Sequence, residues 1–233
     1  MKELGFETRA VRLQQQQTHQ KEHSVPLYLT SSFTFDDAAE GAAIFAGEAE
    51  GNLYSRFSNP NTDEFAGKIA ALEGVESAVA TASGMNAIFT TFAAHLKAGD
   101  HVISAQAIFG NSTYILNTIL PQWGIECTFV DARDPEQWEK AVRPNTKLLY
   151  LETPTNPTLD LIDLEFVGNI CKANNIIYVV DNCFATPYLQ RPAEFGADGV
   201  IHSATKWIDG QGRVLGGVIA GEKAPVDTCY GFI

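Results

Sequence analysis

Gly199-Val200-Ile201-His202-Ser203-Ala204-Thr205-Lys206 is the stretch around which the fold of this chain is organised. Its first four residues form a short apolar run, which is typical of a buried strand. Two hydroxyls and a lysine follow at the predicted strand end. A free lysine cation is costly to bury, so such a lysine is often neutralised, paired or covalently engaged. A Schiff base to a phosphorylated aldehyde would use Ser203, Thr205 and Lys206 together; a solvated loop lysine is the alternative.

The pattern of a short apolar strand followed by a helix recurs along the chain from Thr62 onward. The predicted strands are 77–82, 101–105, 126–130, 147–152, 176–180, 199–202 and 214–220. The predicted helices are 62–73, 85–96, 111–123, 135–142, 160–174 and 188–195. Because these strands are apolar throughout rather than alternating, they indicate an α/β fold with a parallel sheet that helices cover on both faces.

The first part of the chain differs from the rest. Residues 1–60 show little regular periodicity, and we expect an extended N-terminal arm that reaches a neighbouring subunit, followed by one large α/β domain over 61–233. Gln14 to Gln17 is a low-complexity run that we expect to be solvated. Tyr54 and Arg56 stand two residues apart in a polar segment, for which a surface loop is the alternative interpretation.

Composition and charge exclude several classes of function. The chain has 233 residues and a net charge of −12, with no basic stripe, which argues against nucleic acid as a partner. No secretory signal or membrane-spanning run is visible, so we expect a cytoplasmic protein that does not bind membranes. The four cysteines and five histidines form no metal-binding pattern, so we expect reduced thiols and no metal site.

Polar residues follow several of the predicted strands, where ligands bind in parallel α/β sheets. Ser83-Gly84-Met85 leads into a helix whose N-terminus would hold a phosphate. Asn156 lies in the turn after one strand, and Asp181 directly follows another. Taken singly, these residues are explained by helix caps and a turn. Together with Lys206 they predict a ligand site at this edge of the sheet.

Six short motifs occur in one order along the chain: Tyr54-Ser55-Arg56-Phe57-Ser58-Asn59-Pro60, Leu72-Glu73-Gly74, Ala82-Ser83-Gly84-Met85, Glu152-Thr153-Pro154-Thr155-Asn156-Pro157, Asp181-Asn182 and Ser203-Ala204-Thr205-Lys206. This set resembles the Cys/Met metabolism family of pyridoxal-phosphate (PLP) enzymes over nearly the whole chain. The resemblance implies fold type I, with a mostly parallel seven-stranded sheet, and pyridoxal 5′-phosphate as the cofactor.

The resemblance also implies roles for single residues. Lys206 would bind the cofactor as a Schiff base and move protons at the substrate Cα and Cβ. Asp181 would pair with the pyridinium nitrogen. Asn156 would lie near the cofactor's 3′-oxygen and the substrate carboxylate. The cofactor phosphate would be bound by Gly84, Met85, Ser203 and Thr205 of one chain and by Tyr54 and Arg56 of its neighbour.

A cofactor site built from residues of two chains would require a homo-oligomer, a dimer or a tetramer. Tyr54 would also act as a catalytic residue near the substrate amine and the leaving group. Many members of the family stack a tyrosine on the cofactor ring, where this chain has Phe109. Many also have Gly-His-Ser-Asp after the lysine, where this chain has Gly210-Gln211-Gly212-Arg213.

Both variants resemble the O-succinylhomoserine sulfhydrylase branch, which exchanges the succinyl group of O-succinylhomoserine for sulfide and releases homocysteine and succinate. The substrates would therefore be a small amino-acid ester and sulfide, and the pathway methionine biosynthesis. Cystathionine γ-synthase and a methionine or cystathionine γ-lyase stay open as alternatives. Family members continue into a C-terminal small domain with an arginine for the substrate carboxylate. That domain is expected to be missing here, so a truncated, non-catalytic PLP-binding subunit is an alternative of another class.

Overall fold

A computed structural model describes residues 4–13 and 17–233 of the chain. Most of the predicted low-complexity run, residues 14–16, lies outside this part, as do residues 1–3. The prediction that the arm has little regular structure is wrong for two segments, which are helices α1 (Phe6–Arg12) and α2 (Ala38–Phe45). Helix α1 buries none of its residues, so its sequence carries no apolar period that could predict it.

The α/β domain follows the arm. Its elements in chain order are α3 (Pro60–Glu73), β1 (Ser77–Thr81), α4 (Gly84–His95), β2 (His101–Ala105), α5 (Gly110–Tyr114), a π-helical turn (Ile115–Ile119), α6 (Leu120–Gln122), β3 (Glu126–Val130), α7 (Pro135–Ala141), β4 (Thr146–Glu152), α8 (Leu164–Asn174), β5 (Ile177–Asp181), α9 (Thr186–Leu189), a 3₁₀ turn (Pro192–Phe195), β6 (Gly199–Ser203), β7 (Gly217–Gly221) and α10 (Lys223–Phe232).

The seven strands form one sheet in the order β1-β7-β6-β5-β4-β2-β3. All neighbouring pairs are parallel except those of β7, which runs antiparallel to both β1 and β6. The predicted mostly parallel seven-stranded sheet is therefore confirmed. Strand β7 reverses because the segment 204–216 that joins it to β6 contains no crossover helix and leads back beside Ser203, which pairs with Gly217.

Burial of the central strands on both faces explains their continuous apolar runs. Every residue of β2 and β7 is buried, and in β4 only Lys147 is exposed. The core on the two faces includes the fully buried rings of Phe92, Trp138 and Tyr150. Among the described residues, no helix has both the length and the apolar character needed to cross a membrane.

Four predicted boundaries were wrong in informative ways. The helix predicted over 111–123 is interrupted by the π-helical turn, and it contains Pro121, which has no N–H to donate within a helix. The helix over 160–174 begins only at Leu164, because Asp163 caps it through the N–H of Phe166. The helix over 188–195 is divided into α9 and the 3₁₀ turn. The strand over 214–220 is shifted to β7.

Candidate active site

A cavity of about 230 Å³ opens beyond the carboxyl ends of β4, β5 and β6. Eight of the ten residues that the sequence singled out line it: Gly84, Met85, Phe109, Asn156, Asp181, Ser203, Thr205 and Lys206. They come from five separate places in the chain and meet because parallel strands end at the same edge of the sheet. The sheet therefore gathers the predicted lysine, acid, amide and hydroxyls at one cavity.

Asp181 is the acidic residue at the base of this cavity. It is the last residue of β5 rather than the first after it, and it is 6% exposed. Its Oδ1 accepts the N–H of Cys183 at 3.0 Å, and its Oδ2 accepts the hydroxyl of Tyr150 at 3.3 Å. Burial raises the pKa of Asp181, and these hydrogen bonds and the nearby His202 act against that rise. A cationic ring nitrogen in the cavity would offset the cost of burying the carboxylate.

The N-terminus of α4 forms the second wall of the cavity. Ser83 caps α4 by accepting the N–H of Asn86 at 3.1 Å, and Gly84 and Met85 begin the helix. A Cβ added to Gly84 would lie 2.6 Å from the Cβ of Ser203, closer than side chains pack. Only glycine lets the helix end come this close to the end of β6. The result is a set of free helix N–H groups beside a hydroxyl, which suits an anion.

The loop after β6 carries the predicted lysine. Lys206 is exposed and lines the cavity. Lys206 lies three positions after Ser203, the end of the strand, and this distance carries it out of the core. The hydroxyl of Thr205 donates to the carbonyl of Gly216 at 3.3 Å and accepts the N–H of the same residue at 3.2 Å. This pair of bonds ties the lysine loop to the segment before β7.

Glu152 is a cavity residue to which the sequence analysis gave no role. It ends β4, lies beside Asp181 in the sheet register and is 4% exposed. Its Oε2 accepts the backbone N–H of Phe109 at 2.7 Å. Burial, with a smaller contribution from the charge of Asp181, raises the pKa of Glu152 to about 8. The sequence pattern that identified Asp181, a carboxylate at the end of an apolar strand, could also have identified Glu152.

Tyr54 and Arg56 do not line the cavity. Both are exposed, and the Arg56 guanidinium lies over the rings of Tyr54 and Phe57, at 5.6 and 4.9 Å from their centroids. Arg56 instead lines an open cleft between α3, β1 and α10. Within a single chain, these two residues are separate from the eight that meet at the cavity.

Comparison with known proteins shows the family of this chain. The sequence model of the Cys/Met metabolism PLP-dependent enzymes matches residues 7–232. This chain belongs to that family. The predicted family is thereby confirmed, and pyridoxal phosphate is the cofactor. Two relatives show the range of activities: the O-succinylhomoserine sulfhydrylase of Pseudomonas aeruginosa is 46% identical over 98% of this chain, and the L-methionine gamma-lyase of Treponema denticola is 40% identical over 97%.

Solved structures place the chain in the same fold. A crystal structure of a Campylobacter jejuni protein, described as an O-acetylhomoserine (thiol)-lyase with N′-pyridoxyl-lysine-5′-monophosphate at one position, superposes with a TM-score of 0.92 and 33% identity. The match covers 97% of this chain and 56% of that one. The chain also spans 57% of the length of each of the two relatives. Fold type I, predicted from the motifs, is confirmed.

The residues at the cavity fit the family's cofactor. The buried carboxylate of Asp181 lines the cavity and would suit a protonated ring nitrogen, and the aromatic ring of Phe109, 40% exposed, lines the same cavity. The amine of Lys206 is free to reach an aldehyde, since it is exposed at the cavity wall. The close approach of Gly84 to Ser203 leaves a cradle that any larger residue at position 84 would fill.

Proposed function

We propose that this chain provides the cofactor domain of an enzyme that exchanges the γ-succinyl group of O-succinylhomoserine for sulfide. The overall reaction joins O-succinylhomoserine and hydrogen sulfide and releases homocysteine and succinate. The observation that carries the proposal is the convergence of Lys206, Asp181 and the Gly84–Ser203 cradle on one cavity of a PLP-family fold. The choice of this reaction within the family is supported by Phe109 and by the 46% identity to a sulfhydrylase.

Pyridoxal phosphate supplies an electron sink that makes the Cα and Cβ protons of the bound amino acid acidic. Lys206 is proposed as the base that takes the proton from the substrate Cα and returns it at the end of the cycle. Its exposure at the cavity wall leaves its amine free to swing between the cofactor and the substrate carbon. Asp181 is proposed to hold the cofactor ring by its nitrogen, because a buried carboxylate there favours a protonated partner.

The phosphate end of the cofactor is proposed to lie against the N-terminus of α4. Backbone N–H groups of Gly84 and Met85 would donate to it, since the first N–H groups of a helix have no partner within the helix. The hydroxyls of Ser203 and Thr205 would complete the anchor. Thr205 would have to share or release its bond to Gly216 to do so. Asn156, in the turn after β4, is proposed to contact the cofactor's 3′-oxygen and the substrate carboxylate.

The N-terminal arm, residues 1–60, is proposed to complete the site of a second copy of the chain, and residues 61–233 to form the cofactor domain. Tyr54 and Arg56 are exposed and lie outside the cavity of their own chain, so they are free to reach another one. Arg56→Ala should then weaken PLP binding, and PLP affinity should rise with protein concentration in step with self-association. Affinity that is independent of both would remove this part of the proposal.

A γ-lyase is the second candidate, and the 40% identity to an L-methionine gamma-lyase favours it. Such an enzyme would release 2-oxobutyrate and ammonia instead of transferring the carbon chain to a nucleophile. Cystathionine γ-synthase differs only in using cysteine in place of sulfide. All three candidates act on free amino acids of the cytoplasm, which we propose as the location of the protein.

One assay separates these candidates. The purified PLP-loaded chain is given O-succinylhomoserine alone, with sulfide, and with cysteine, and the products are separated by mass. We expect homocysteine and succinate in a 1:1 ratio with sulfide and little 2-oxobutyrate without it. Dominant 2-oxobutyrate would indicate the lyase, and cystathionine the synthase. A chain that binds PLP and yields none of these products would be the non-catalytic PLP-binding subunit.

A further inference from the structure

Glu152 connects two loops that carry residues of the cofactor site. Its carboxylate accepts the N–H of Phe109, which lies 43 residues earlier in the chain, at 2.7 Å. The backbone N–H of Asn156 faces the same carboxylate and acts to lower its pKa. The loop between β2 and α5 is therefore bonded to this side chain, and the loop after β4 lies beside it.

The surroundings of Glu152 leave its side chain little freedom to move. It is the last residue of β4, which is central in the sheet and paired on both sides, with β2 and β5. The side chain is 4% exposed and its chain neighbours Leu151 and Thr153 are fully buried, so few rotamers are open to it. Phe109 has no side-chain cap of its own at the start of α5. Its backbone position therefore depends on the bond from outside its loop.

The cost of placing a carboxylate here is considerable. Glu152 and Asp181 end neighbouring strands in the same register, and both are buried at the cavity. Two buried carboxylates this close disfavour each other's ionised form. The backbone N–H that Glu152 accepts from Phe109 offsets part of this cost, because a hydrogen bond satisfies a buried polar group.

We propose that Glu152 is a positioning residue that fixes Phe109 and Asn156 relative to each other and so sets how both meet the PLP ring. The proposal rests on the proposed cofactor contacts of Phe109 and Asn156. Glu152 acts through these two residues and takes no part in proton transfer. Loss of its carboxylate should loosen both loops together and leave the ring of the cofactor less well oriented.

The test compares Glu152→Ala and Glu152→Gln with Glu139→Gln, which makes the same chemical change at an exposed position of α7. Two measurements are made on each protein: PLP affinity by absorbance titration and visible circular dichroism per bound cofactor, which reports how the ring is held. We expect Glu152→Ala to lose up to about tenfold in affinity, the loss that one buried hydrogen bond predicts. Glu152→Gln keeps one acceptor oxygen and should lose less.

A double-mutant cycle separates positioning from a general packing defect. If Glu152 acts through Phe109, Glu152→Ala should cost much less affinity in a Phe109→Ala background than in the natural chain. Hydrogen exchange adds a measurement that does not require the cofactor. Exchange should accelerate in peptides 107–112 and 154–158 of the Glu152→Gln protein, while β5 stays protected.

The outcomes distinguish the proposed cofactor site from the proposed positioning role of Glu152. A natural chain that binds no PLP contradicts the proposed site itself. A natural chain that binds PLP, with Glu152 variants that match Glu139→Gln in affinity, dichroism and exchange, overturns the positioning role alone. Full additivity of the Glu152 and Phe109 substitutions also overturns it. If Glu152→Ala does not fold, the dichroism and exchange of Glu152→Gln still decide between these results.

Discussion

Glu73 and His202 form a buried pair although 129 residues separate them in the sequence. The Nε2 of His202, in β6, lies 2.5 Å from the Oε1 of Glu73, at the end of α3, and both side chains have no exposed surface. The amide of Asn182 donates to the same Oε1 at 3.0 Å. Gly74 closes α3 in the left-handed conformation, with a φ of 77°, directly after the glutamate. The pair thus joins α3 to the strands whose ends form the cavity.

We expect Glu73→Leu or His202→Leu alone to lower the free energy of unfolding by about 3 kcal/mol, because each leaves a buried polar partner unpaired. The double variant Glu73→Leu/His202→Leu should lose less than the sum of the two. Urea unfolding of the four proteins completes the cycle. Strictly additive losses would mean that the two side chains are not coupled.

Gly84 is predicted to be essential for the phosphate cradle. An alanine there would place its Cβ 2.6 Å from Ser203, so the end of α4 would have to move away from β6. We expect Gly84→Ala to weaken PLP binding by about tenfold, the loss of one charge-assisted hydrogen bond, and to affect pyridoxal without its phosphate far less. Gly231→Ala, a helical position with open space around it, is the matched control. Equal losses for PLP and pyridoxal would contradict a phosphate site here.

His101 is predicted to make the fold sensitive to acid. Its two ring nitrogens contact the hydroxyls of Thr146 and Thr128, each at 2.8 Å, and burial lowers its pKa from 6.5 to about 4. Between these two values the unfolded chain binds the proton and the folded one does not, so stability falls as the pH is lowered through this window.

The slope of this loss is at most about 1.4 kcal/mol per pH unit, the limit for one proton. His101→Gln should reduce the slope between pH 6.5 and 4, while the exposed His19→Gln should leave it unchanged. Urea unfolding at a series of pH values measures it. A His101→Gln protein with the natural slope would show that other groups control the acid response.

The sequence predicted the sheet and most of the cavity because both depend on local patterns. An apolar run of five residues with a polar residue at its end can be recognised in the sequence alone, and Asp181 was identified from this pattern. Glu152 has the same pattern, but which N–H groups its carboxylate accepts depends on where the Phe109 loop folds back, and no local pattern encodes that. The Glu73–His202 pair was missed for the same reason.

Helix α10 was not predicted because few of its side chains are buried. Helix α10 buries only Val226 and Cys229, and it has Pro225 in its first turn, so its apolar period is too weak to recognise. The position of Lys206 after an apolar strand left two interpretations open, a lysine engaged with a cofactor and a solvated loop lysine. The strand pattern alone does not show that the loop after Ser203 brings Lys206 to the surface.

Borohydride trapping shows whether pyridoxal phosphate is attached to Lys206. The purified chain is loaded with PLP, reduced with borohydride, which fixes a lysine-linked cofactor as stable pyridoxyl-lysine, and mapped by peptide mass spectrometry. Lys206→Ala and Lys172→Ala, a lysine on helix α8 outside the cavity, are treated in parallel. We predict one modified peptide that contains Lys206, present in the Lys172→Ala protein and absent from Lys206→Ala. Labelling spread over several lysines, or retained in Lys206→Ala, would contradict the account.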